Sequence, residues 1–189
     1  MKTIKTILTG AILALAAVTA YADAYDTALK NFHDAGQSAS FFSKSYGYAL
    51  FPTIGKAGLV VGGAFGDGKV YVGGKYVGDA TLTKLSVGFQ AGGQAYSQII
   101  FFENKQAFDR FTDHDFEFSA GASAVLITAG ATAEAGTTGS SASASVTHKD
   151  ATTSGKFDNN GMVVFNIVKG GAMYEASLGG QHYKFKPLK

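Results

Sequence analysis

Five Gly-Gly pairs, at 62–63, 73–74, 92–93, 170–171 and 179–180, punctuate a chain rich in Val, Ile, Phe, Tyr and Thr between them. β-Branched and aromatic side chains pack well on a pleated surface, and Gly supplies the turns, bulges and tight bends that join or kink strands. Collagen or disordered repeats would need a glycine period or many prolines. This chain has neither, and its only prolines are Pro52 and Pro187. The pattern therefore predicts an antiparallel β-sheet.

Two segments depart from strand periodicity. Over residues 24–45 the apolar positions Tyr25, Ala28, Leu29, Phe32, Ala35, Ala39 and Phe42 recur at three- and four-residue steps. That spacing predicts an amphipathic helix, capped by Asp23 or Asp26 and interrupted at Gly36. Asn104 is placed to cap a second, short helix over residues 105–112 with Ala107, Phe108 and Phe111 on one face. The predicted strands begin with a short run, Tyr48–Phe51, stopped by Pro52. A hairpin follows, turning at Gly66-Asp67-Gly68. Ala80–Phe89, Ala95–Phe102, Phe116–Phe118 and Ala124–Thr128 come next, and Met162–Val168, Ala172–Leu178 and Gln181–Phe185 should form a closing β-meander. Residues 129–145 are almost wholly Ala, Gly, Ser and Thr, and the wider 129–160 stretch reads as a low-complexity loop or edge region.

The N-terminus reads as an address. Lys2 and Lys5 precede an uncharged run from Ile7 to Ala20, and Ala20-Tyr21-Ala22 offers small residues where a signal peptidase cuts. The run is 14 residues long, short of the roughly 20 that span a bilayer. Residues 1–22 are thus expected to be a cleaved signal peptide, 23–189 a single domain, and the location periplasmic. With no Cys in the chain, an N-terminal lipid anchor and any disulfide are excluded. Removing Lys2 and Lys5 from 16 basic residues leaves 14, against 14 acidic ones, so the expected mature chain is neutral. A nucleic-acid partner, which wants a basic excess on one face, is not expected.

Catalytic motifs are weak. Gly63 to Val70 follows a phosphate-binding loop except at its last position, where Val70 replaces Ser or Thr. Such a loop must open a helix, and here strand residues follow. Asp109, Asp113, His114, Asp115 and Glu117 form an acidic cluster without calcium-loop spacing. His33, His114, His148 and His182 are scattered, none at zinc-ligand spacing to another. No metal, no cofactor and no enzymatic activity are expected. An outer-membrane barrel fits poorly, because Ile99–Phe102 and its like are continuous apolar runs rather than alternating ones.

The stretch Tyr46 to Gly63 (YGYALFPTIGKAGLVVGG) resembles the SYLF (Ysc84-type) lipid-binding domain family. The likeness continues through Gly88–Gly93, Ile99–Phe102, Ala107–Phe111 and Lys169–Gly180, and thins over 129–160. The resemblance implies a β-rich α+β domain that binds phospholipid, with an N-terminal amphipathic helix contributing to membrane contact. Carried to this chain, it makes Lys30, Lys44 and Lys56 the candidate headgroup contacts and Phe32, Phe41 and Phe42 the candidate apolar contacts. Some eukaryotic relatives bind actin or phosphoinositides, ligands that an exported bacterial member would not meet.

The expectation is an α+β domain. Its antiparallel β-sheet is curled into a sandwich or partial barrel, with an N-terminal amphipathic helix and one short internal helix. The expected partner is a phospholipid or membrane surface of the cell envelope. The alternative is a structural module that docks an envelope protein without a lipid ligand.

Overall fold

The computed structural model describes residues 23–59, 61–113, 116–118, 124–127 and 155–188. The expected signal segment, residues 1–22, and residues 129–154 of the Ser/Ala/Thr stretch lie outside the described residues. The chain is helical over residues 23–34 (α1), bends at Ala35, and makes one further turn, α2, at Gly36–Ala39. Then follow β1 (Gly47–Gly58), β2 (Val61–Val72), β3 (Lys75–Phe102), α3 (Lys105–Thr112), β4 (Phe116–Phe118), β5 (Ala124–Ile127) and β6 (Met162–Pro187). The six strands make one sheet, antiparallel at every pairing except β5 with β6.

Two long strands organise this sheet. β3 has 28 residues and β6 has 26, and they pair from Gly78↔Pro187 to Phe102↔Met162. β1 and β2 form an antiparallel hairpin, from Gly47↔Val72 to Gly58↔Gly62. The first half of β3 pairs antiparallel with β2 and its second half pairs antiparallel with β1. Because β1 and β2 run in opposite senses, the two halves of β3 must also. The chain therefore bends past the hairpin tip between Val87 and Gly92, with β6 following along its outer edge.

The sheet also curls. Tyr183 Oη lies 2.7 Å from Gln98 Oε1. Four strand spacings, about 19 Å, would separate these strands across a flat sheet counted through β1 and β2. Only curvature brings them together, yet the sheet does not close. The expected curled antiparallel sheet is thus present in its open form.

Two apolar clusters lie on its two faces. On the inner face Phe51, Ile54, Leu82, Ile100, Phe102 and Tyr183 pack with Ala107 and Phe111 of α3. On the outer face Leu50, Ile99, Phe101, Val163 and Phe165 pack under Tyr25, Ala28 and Phe32 of α1, and under Phe41. The runs Ala49–Phe51, Ile99–Phe102 and Met162–Phe165 are apolar without alternation because they are covered on both faces.

Several expected breaks are absent for identifiable reasons. Pro52 does not end β1, because the strand passes it in a bulge where the register skips from Phe51 to Ile54 against β3. The carbonyl of Pro52 accepts a hydrogen bond from Ser97 Oγ at 2.7 Å. Gly66-Asp67-Gly68 is no turn but the interior of β2. A Cβ on Gly68 would stand 2.6 Å from Phe51 Cδ1 and 2.9 Å from the Leu50 carbonyl, so glycine serves close packing there. The tight turn lies instead at Gly73 and Gly74, whose φ angles of 55° and 77° suit a two-residue hairpin loop. The closing meander is one strand, β6, with both its Gly-Gly pairs inside it.

The short internal helix stands where expected, with Asn104 Oδ1 accepting from the Ala107 amide at 3.0 Å. Replacing Gly68 by Ala should cost about 1–3 kcal/mol through overpacking. Gly55→Ala, where nothing lies within 4 Å of the new methyl, should stay near neutral. Urea midpoints at constant slope would show the contrast.

Candidate functional site

The six candidate contacts divide between two places. Lys30 is exposed and paired with Asp34 one helical turn on. Lys44 is exposed in the turn after α2. Phe32 is wholly buried in the outer cluster, and Phe41 is buried among Phe101, Phe157 and Phe165 at ring separations of 5.2–5.7 Å. Phe42 is half-buried, stacked on His33 at 3.7 Å and edge-on to Tyr48 and Phe101. These five residues form one aromatic layer with cations at its outer side.

Lys56 stands apart from them, half-buried in β1. It pairs directly with Ala64, which pairs in turn with Lys84, so the two lysines flank Ala64 on the inner face. Gln94 stands opposite Lys56 and Gln181 opposite Lys84. The row is polar, one step beyond the apolar layer of Ile54, Leu82, Tyr96 and Tyr183.

A buried polar network, not foreseen from sequence, supports that row. The Tyr183 hydroxyl lies 2.7 Å from Gln98 Oε1 and 2.6 Å from Gln181 Oε1. Gln98 Nε2 donates to Asn166 Oδ1 at 2.9 Å. Full burial pushes the Tyr183 phenol well above its ordinary pKa, with Tyr96 adding to the effect. The available signal was Gln98 beside Ile99–Phe102 and Asn166 between Phe165 and Ile167, since polar residues inside a buried run need partners.

A second unforeseen group lies beside α1. Lys69 Nζ sits 4.4 Å from the Tyr25 ring centroid and 5.7 Å from that of Tyr76. Tyr48 stacks on Tyr71 at 5.0 Å. Burial first, and then Tyr71, raise Tyr48 to about 12. The phosphate-loop-like segment ending at Val70 is thus a strand whose lysine meets aromatic faces.

Of the acidic cluster, Asp109 is paired with Lys105 at 2.7 Å, while His114 and Asp115 lie outside the described residues. Among the described residues no group of three His, Cys, Asp or Glu could hold a metal ion, and no helix is long and apolar enough to cross a membrane.

The profile of the family described as Ysc84, Las17-binding protein actin regulator, matches residues 83–184, more than half of the chain. The chain belongs to the Ysc84 family. No curated protein matches it. The Ysc84 segment begins in the first half of β3 and ends near the close of β6, so it contains most of the long β3–β6 ladder and α3. All six candidate contacts precede it.

Tyrosine ionisation gives a test of this packing. Unfolded tyrosine titrates near pH 10, whereas folded Tyr48 and Tyr183 hold their protons to higher pH. Their contribution is complete below about pH 10 and is lost as pH rises toward and beyond the folded values. Tyr48→Phe should flatten the decline in stability between about pH 10 and 12. Tyr183→Phe should cost about 1–3 kcal/mol at neutral pH by leaving buried glutamine acceptors unserved. Denaturant titrations across pH would read both.

Proposed function

We propose that this Ysc84-family chain is a non-enzymatic phospholipid-binding module of the bacterial cell envelope. It is exported through a cleaved signal peptide and works in the periplasm. The N-terminal helix is its amphipathic contact element, laid over the outer face of the sheet.

Support comes from the division of burial around that element. Tyr25, Ala28, Phe32 and Phe41 face the sheet, and Lys30 and Lys44 face solvent. Two lysines near an anionic surface supply about 1 kcal/mol each. Lifting the segment off the sheet would expose large side chains worth about 1.5–3 kcal/mol apiece. Charge alone therefore cannot lift α1, and binding through its aromatic side requires the bilayer to rebury those rings. The family description names a protein partner, Las17, which belongs to the relatives so described and is not carried here.

Protein expressed from the full sequence should appear after export with a mass that begins at Asp23, as read by intact-mass spectrometry. It should float with vesicles of phosphatidylethanolamine and phosphatidylglycerol. Failure to associate with vesicles of any envelope lipid would refute lipid binding and favour docking to an envelope protein, which cross-linking in envelope fractions would then reveal.

A further inference from the structure

The outer face of the sheet extends beyond the area that α1 covers. Past Asp67 and Thr81, toward the β1–β2 tip, its large side chains are Phe65, Leu85, Val61 and Leu59, with exposures of 56, 68, 59 and 71 %. Ala57, Gly63 and Leu85 stand side by side there in one row. Charged side chains stand at the borders of this zone: Lys169 Nζ donates to Thr53 Oγ1 at 2.9 Å, and Glu117 pairs with His182 at the far end of the Phe65–Thr83 row. On the opposite, inner face of the same rows stand Lys56 and Lys84.

A solvated sheet places polar residues outward and apolar residues inward. This end of the sheet does the reverse, in the sense that suits a lipid-facing surface. The side chains of Phe65, Leu85, Val61 and Leu59 themselves carry no hydrogen-bonding group for a protein partner to read. Lys169, exposed at the border of the zone, has a long stem that can carry its charge to a lipid phosphate.

We propose that this bare end of the sheet, centred on Phe65, Leu85, Val61 and Leu59, is a membrane-contact surface that enters the headgroup–acyl boundary of an anionic phospholipid bilayer. It rests on the phospholipid-binding reading above and relocates the first contact from α1 to the hairpin end. These side chains are already exposed, so contact here needs no undocking of the helix.

The chain contains no Trp, so Phe65→Trp places one unambiguous reporter in the zone. Its emission should shift to the blue on adding phosphatidylglycerol-containing vesicles and be quenched by brominated acyl chains. Full-length Phe65→Ser/Leu85→Ser protein, checked for unchanged circular dichroism and urea midpoint, should lose vesicle partitioning by about tenfold. Lys75→Gln/Lys105→Gln protein, altered at exposed lysines outside both surfaces, should retain most of it, and Lys30→Gln/Lys44→Gln protein tests the rival placement at α1.

Wild-type binding that the Phe65/Leu85 pair leaves unchanged while the Lys30/Lys44 pair abolishes it would overturn this placement but leave lipid binding standing. No vesicle binding by wild type would remove the underlying reading as well. If the Phe65/Leu85 substitutions instead dissolve a self-associated oligomer and do not alter vesicle binding, the face joins copies of the chain and the proposal fails.

Discussion

The pairing of β3 with β6 is the constraint on which the rest of the molecule depends. One long ladder, broken by a single bulge at Lys169, carries residues of both apolar clusters, since successive side chains along each strand point to opposite faces. Its bend about the β1–β2 hairpin turns a two-stranded ribbon into a curled sheet with an inside. α3 seals one end of that inside, and α1 seals part of the outside. The Ysc84 match covers most of this ladder, so the family signature and the architectural backbone coincide.

Composition revealed the class of structure but not the length of its strands. The residue types between Gly-Gly pairs announced a sheet, and the caps and spacings announced two helical regions. The errors came from treating glycine and proline as punctuation. Gly66 and Gly68 are glycine because Ile54 and Phe51 crowd the opposite strand, and nothing local distinguishes that cause from a turn. Pro52 is tolerated within β1 because a bulge absorbs its missing donor. Of the five Gly-Gly pairs, Gly73-Gly74 is the one that forms a two-residue hairpin loop, and its positive φ angles match the twist of the strands it joins.

The candidate site was legible to the same extent. Periodicity placed Phe32 and Phe42 on one face and the resemblance added Phe41, but neither could say whether that layer meets lipid or the sheet beneath it. Lys56 was singled out by the resemblance alone, and its placement opposite Ala64 and near Lys84 depends on pairings between distant segments. The Gln98–Tyr183 contact is of the same kind, because it exists only once the sheet has curled. Local sequence carries propensity and period, whereas these juxtapositions arise from curvature.

The pairing pattern also leaves the molecule with an asymmetric border. β1 and β2 have partners on both sides, so the outer edge of β6 is the long rim of the sheet among the described residues. β4 covers residues 181–183 of that rim and β5 covers 164–167. Between them the strand carries Lys169 in a bulge, then Gly170-Gly171, the seven residues Ala172–Leu178, and Gly179-Gly180. A bulged lysine and two glycine pairs break the regularity of this rim, which is how natural sheets discourage edge-to-edge growth. A sheet protein of the kind proposed above would have to remain dispersed during export, and a rim interrupted in this way is a poor template for fibrils.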